Sequence, residues 1–179
     1  MHPDQIHVPR QDERSPSAPA PASATPRKDR FLVCAQAVRH PGASLVDAAE
    51  LDAYLATEFR VRAAESFTLR IGEHSAPLFE LQSRLRTPSS AFVTACNPAG
   101  AEEAAEENHR RHEVPRSLFQ LLGHVHFEGH GAHPSNGWSP EPGFLVFGIT
   151  FEADLALRLG QDAVVWSGED VLPLLLVTR

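Results

Sequence analysis

The sequence predicts an α/β fold of the α+β kind: a single domain with a mixed β-sheet and helices packed on it, behind a disordered N-terminal tail. Three observations carry this. Residues 1–30 are crowded with Pro, Ala, Ser and charge (SPSAPAPASATPRKDR). Such a segment buries too little apolar surface to offset its ordering entropy. From residue 31 to 179, apolar runs of strand length alternate with runs of helical period, as expected when both element types share one core. A chain of 179 residues also accommodates one domain with a substantial core and not two ordinary ones.

The elements follow in order. Phe31–Ala37 is a short apolar stretch that suits a strand or a docking segment. Ser44 with Asp47 makes a helix start, and Ala48, Leu51 and Leu55 continue it at helical spacing, with Tyr54 beside them. Phe59, Val61 and Ala63 alternate with arginines, then Phe67, Leu69 and Ile71 alternate with Thr68 and Arg70; two period-two runs this close predict a hairpin. Gly72 ends the second strand. Leu78, Leu81 and Leu85 mark a helix face stopped at Thr87-Pro88. Ser90–Cys96 is nearly all apolar, which predicts a strand buried on both faces. Phe67–Cys96 therefore has the length of a strand–helix–strand crossover between parallel neighbours.

Glutamates at 102, 103, 106 and 107 open the next helix, and His109, Arg110, Arg111 and His112 close it, a gradient that complements the helix dipole. Pro115 is expected to separate it from a second helical piece carrying Leu118, Leu121 and Leu122. His124–Phe127 suits a strand and residues 128–142 a long loop, of the kind that often carries function. Phe144–Ile149 is a strand, Phe151–Leu159 a helix, and Ala163–Trp166 and Val171–Val177 are the last strands.

Composition excludes several classes. The net charge of −7 gives no broad positive field for non-specific nucleic-acid binding. Two cysteines, Cys34 and Cys96, are too few for a disulfide framework. No run approaches the ~18 apolar residues of a membrane span, and the N-terminus lacks the apolar core of a secretory signal. A cytoplasmic location without membrane contact is expected.

The succession YLATEF, FTLRIGEHS, FVTACNP, EENHRR, GWSPEPGFLVFGI and GQDAVVW, from about Leu51 to Trp166, resembles a bacterial family known only as domain-of-unknown-function family 3293. Its most specific part is T-A-C-N-P followed by an E-N-x-x-R helix, with the Trp-Glu-Pro loop and the G-Q-x-A strand entry behind it. The resemblance implies a single α/β domain and no established activity. Two positions depart from the family-like pattern: Gly143 stands where that pattern has serine, and Pro115 interrupts the helix.

The best candidate site is the crevice at the C-terminal end of strand Ser90–Cys96, because ligands of α/β sheets bind beyond strand ends. Asn97 sits there and can offer a donor and an acceptor; its plain alternative is turn capping. Asn108 and Arg111 share a helix face. The Arg111 fork suits a carboxylate or phosphate, or simply a solvated charged face. Arg70, Glu73 and Ser75 would enter the same crevice if their strand runs parallel beside Ser90–Cys96, with Glu73 as a general base. Otherwise Ser75 is an N-cap and Glu73 a dipole partner. Trp138 can stack on a planar ligand and Glu141 can accept from it or move a proton, or the tryptophan only pins its loop. Gln161 reads a ligand edge or closes a turn.

His124, His126, His130 and His133 have spacing compatible with a metal, but no cysteine or spaced acid completes a ligand set, so no cofactor is expected. Cys96, inside an apolar strand, is a poor nucleophile. No phosphate-binding loop, dinucleotide fingerprint, zinc-protease helix or nucleophile elbow occurs. The residues thus point to a small-molecule site, for a phosphorylated or nucleotide-like ligand, serving either catalysis or a non-catalytic regulatory module. A scaffold acting through the tail is a third reading.

Overall fold

The structure is a computed structural model that describes residues 48–135, 137–148, 155 and 158–177. The expected tail, the 31–37 stretch, the Ser44 helix start and most of the 151–159 helix lie outside the described residues.

Among the described residues, three helices and seven strands follow one another: α1 Ala48–Ala56, β1 Glu58–Val61, β2 Phe67–Arg70, α2 Ala76–Leu85, β3 Ser90–Val93, α3 Ala105–Leu122, β4 His126–Ala132, β5 Glu141–Phe147, β6 Ala163–Ser167 and β7 Leu174–Val177. A short 3-10 turn, Pro98–Gly100, lies between β3 and α3. The strands form one sheet in the order β2-β1-β4-β5-β3-β6-β7.

The α/β class and single sheet are as the sequence predicts, but all six neighbouring pairs are antiparallel rather than mixed. Three hairpin pairs (β1–β2, β4–β5, β6–β7) supply most of the ladder, and β3 inserts between β5 and β6. β2 and β3, expected as parallel neighbours, are separated by β1, β4 and β5. The sheet curls, and the Gly72 and Ser75 amides donate to the Pro173 and Val171 carbonyls beyond its two edge strands.

Alternation along the strands divides the apolar residues between two faces. Phe59, Leu69, Phe92, Leu145, Val165 and Leu175 point into the curl, where Leu78 and Leu81 of α2 and Leu51, Tyr54 and Leu55 of α1 pack on them. Ala91, Val93, Phe144, Val146 and Val164 face the other way, with Phe119 of α3. The β3 strand is buried on both faces, as its composition predicts.

Helix α3 runs unbroken through Pro115, which corrects the expected separation there. His112, Pro115 and Phe119 form its buried face, and the ring of His112 stacks on Phe144 at 4.3 Å. Packing of the proline ring against the sheet offsets the backbone hydrogen bond it cannot make. β4 extends to Ala132, so the expected long loop shrinks to residues 133–140. β7 begins at Leu174, not Val171, because Val171 adopts φ 47°.

The glycines in β4 and β5 have a steric reason. Gly129 and Gly143 stand opposite each other in the ladder, and the Phe92 ring lies across both. A Cβ at Gly143 would meet Phe92 Cε1 at 2.6 Å and the Val93 carbonyl oxygen at 2.7 Å; one at Gly129 would meet the Arg60 carbonyl oxygen at 2.3 Å. The family-like serine at position 143 therefore does not fit here beside Phe92.

Candidate functional site

At the sheet rim where β3 leaves and β5 and β6 enter, a cavity of about 510 Å³ opens between the curl and α1. Its floor is Phe59, Phe92, Val165 and Leu175, and α1 contributes Glu50, Ala53 and Tyr54 at the i, i+3 and i+4 positions of one face, with Thr57 just past its end. Asn97, Trp138, Glu141 and Gln161, four of the residues expected at a site, line it together with His133 and Asp162.

The wall is built outward from Asn97. Its backbone is left-handed (φ 46°, ψ 58°), a conformation asparagine tolerates better than most residues. The side chain makes no cap to the 3-10 turn. Its Nδ2 donates to Glu141 Oε1 at 2.6 Å, while its Oδ1 accepts from Asn108 Nδ2 at 2.8 Å and from the Glu103 amide at 3.0 Å. The Asn97 amide in turn donates to Asn108 Oδ1 at 2.8 Å. Trp138 Nε1 donates to the same Glu141 oxygen at 2.8 Å. Gln161 Nε2 donates to the Cys96 carbonyl at 2.9 Å, tying the β6 entry to the β3 exit. The network is thus one connected set joining β3, α3, β5 and the loop before it, and buried polar groups held in this way are geometrically fixed.

Both donors to Glu141 are neutral and both reach Oε1; Oε2 accepts no hydrogen bond among the described residues. Glu50 accepts from the Tyr54 hydroxyl at 3.5 Å. Burial first, then the charges of Glu50, Asp162 and Glu141, push the Tyr54 phenol well above its ordinary value. Three carboxylates therefore act on one hydroxyl in the cavity wall. Among the described residues, no lysine or arginine lines the cavity.

The remaining expected residues are placed elsewhere. Asn108 stands behind Asn97 and positions it. Arg111 grips Glu103 with two bonds, Nε–Oε2 2.6 Å and Nη2–Oε1 3.0 Å, and stays outside the cavity lining. Arg70 projects from the outer side of β2, opposite its buried neighbours Leu69 and Ile71, and pairs with Glu58 at 2.6 Å. Ser75 is the N-cap of α2, its Oγ accepting from the Leu78 amide at 3.3 Å. Glu73 is exposed in the turn before it. Because β2 is not beside β3, the shared exit expected for Arg70, Glu73 and Ser75 is not formed.

The histidines disperse. His126 packs against Phe119 and Phe144 on the outer face, His133 lines the cavity, and no group of three His, Cys, Asp or Glu suited to a metal occurs among the described residues. Burial pushes the Cys96 thiol up, consistent with a structural cysteine.

Sequence reasoning missed Glu50, Tyr54, Phe92 and Asp162. The helical spacing of Glu50, Ala53 and Tyr54 is present in the sequence, but core packing accounts for it equally well and nothing marks that face as a cavity wall. Nothing local distinguishes Phe92 from any other buried strand residue.

No helix among the described residues is long and apolar enough to cross a membrane. No curated protein and no solved structure matches the chain. Residues 93–164, which carry Asn97, Asn108, Trp138, Glu141 and Gln161, match the family described as "Protein of unknown function (DUF3293)".

Proposed function

We propose that this domain binds a small organic molecule in the cavity at the β3 exit. The observation that carries the proposal is the convergence of Asn97, Trp138, Glu141 and Gln161, from distant parts of the chain, on one apolar-floored cavity of about 510 Å³. A concave apolar pocket with a few fixed polar groups is the general form of a ligand site, and this volume suits a metabolite-sized molecule.

Recognition is favoured over chemistry. Glu141 is held by two neutral donors on one oxygen, an arrangement that orients an acceptor. A general base needs a proton-bearing substrate atom within hydrogen-bond reach, and the buried thiol of Cys96 offers no activated nucleophile. The two arginines expected to hold a phosphate are engaged by Glu58 and Glu103 away from the cavity, which favours a neutral or cationic ligand over a phosphorylated one.

A thermal-shift screen of metabolites on the full chain tests the proposal, with Ala53→Phe as the control. Ala53 lines the cavity from a helix, so the larger ring fills the space without altering the sheet. A ligand at about 100 times its dissociation constant stabilises by ~2.7 kcal/mol. Compounds that raise the melting temperature of the wild type and not of a folded Ala53→Phe protein support the reading. Hits unaffected by the substitution, or none at all, contradict it.

A further inference from the structure

We propose that the cavity selects an organic cation, a protonated amine carried on an apolar or aromatic body; this rests on the small-molecule reading above. The lining combines three carboxylates (Glu50, Glu141 and Asp162) with the rings of Tyr54 and Trp138 and the apolar floor around Phe92. Among the described residues, no lysine or arginine lines the same space. An anion entering it meets the Glu141 carboxylate, whereas an ammonium gains both carboxylate and ring-face attraction.

Glu141 is the central group. Its hydrogen-bond partners are an amide and an indole, so neither cancels its charge as an arginine would. The double anchoring on Oε1 fixes the carboxylate plane and leaves Oε2 to accept from a ligand N–H. Trp138, bonded to the same oxygen, is placed with its ring beside the carboxylate at the cavity wall. Ammonium recognition commonly pairs these two group types. The same three acids lie close enough to Tyr54 to raise its phenol above its ordinary value, after burial.

The test uses matched probe triads that share a body and differ in head group: tryptamine, tryptophol and indole-3-propionate; phenethylamine, phenethyl alcohol and phenylpropionate; cadaverine, pentanediol and glutarate. Each is titrated at pH 7.5 and low salt against wild type, Glu141→Gln and Ala53→Phe. The expected result is that the amine binds at least tenfold more tightly than the acid in one or more triads. Glu141→Gln should reduce that ratio severalfold, and Ala53→Phe should abolish binding of the whole triad. Circular dichroism establishes that both variants are folded. Equal or tighter binding of the acids, or a ratio unmoved by Glu141→Gln, overturns the cation inference and leaves the cavity reading standing. Binding of all members that survives Ala53→Phe, or binding of none, overturns both.

Discussion

Gly143→Ser restores the residue of the family-like loop, and the structure gives a definite cost for it. Gly143 lies in β5 directly over the Phe92 ring. A Cβ there would approach Phe92 Cε1 to 2.6 Å, Phe92 Cζ to 2.9 Å and the Val93 carbonyl oxygen to 2.7 Å. The ring has little freedom, because Phe59 packs on it at 5.2 Å and Gly129 lies under its other edge. Overpacking of this kind costs ~1–3 kcal/mol, read as a lower urea midpoint at unchanged m-value. Gly131, on the neighbouring strand, is the internal comparison: its added Cβ would meet only Phe59 ring atoms and a Thr57 methyl at 3.4–3.5 Å. Gly131→Ala should therefore lie within ~0.5 kcal/mol of wild type, or gain slightly from the reduced freedom of the unfolded chain. In a Phe92→Leu background the Gly143→Ser cost should fall but not vanish, because the Val93 carbonyl remains. If Gly143→Ser proves as stable as wild type, or Gly131→Ala is equally damaging, the steric reasoning is refuted.

Four further outcomes are expected. Asn97→Gly keeps the left-handed backbone but removes the side-chain bonds to Glu141, Asn108 and the Glu103 amide; urea unfolding should show a loss of ~1–3 kcal/mol, and no loss means the network does not hold the loop. Burial and then Arg116 hold His112 below its ordinary value of 6.5, and burial, Arg60 and Arg62 do the same to His130. The unfolded chain then takes up protons first, so stability should be greatest above about pH 6.5 and fall as the pH drops below it. His112→Leu should flatten that slope in urea midpoints measured from pH 5 to 8, and an unchanged slope contradicts it. Trp166 buries an indole N–H with no acceptor among the described residues; Trp166→Phe should cost little or stabilise slightly, and a loss above ~2 kcal/mol contradicts that. Arg70→Ala and Arg111→Ala should leave the affinity of any cavity ligand within about twofold, since each arginine pairs with a glutamate outside the lining; a tenfold loss by calorimetry would place that arginine in the site.

Much of the fold was legible because it rests on local pattern. The β1–β2 hairpin follows from the alternation around Phe59 and Leu69, α2 from its leucine spacing and Ser75, and the two-faced burial of β3 from its unbroken apolar run. Strand direction was not legible. A strand–helix–strand segment of crossover length returns a parallel neighbour only if no other strand intervenes, and here β1, β4 and β5 do. The same error moved Arg70, Glu73 and Ser75 into a crevice they do not share. The β4 extension was hidden because Gly129 and Gly131 read as loop residues; the purpose of Gly129, room for the Phe92 ring and the Arg60 carbonyl, exists only in the folded sheet. Asn97, Trp138, Glu141 and Gln161 could be found because polar residues at strand ends have few local reasons to be there. Tyr54 and Asp162 could not, since helix packing and turn chemistry account for them equally well.

Trp138 lines the cavity and is a natural reporter of a ligand that reaches its wall. In a Trp166→Phe protein it is the remaining tryptophan of the two in the sequence. Its fluorescence should change saturably on titration with cadaverine, which does not absorb in this range. The same titration should give no change once Ala53→Phe fills the space. A flat response in Trp166→Phe, or an identical response with and without Ala53→Phe, would contradict the account.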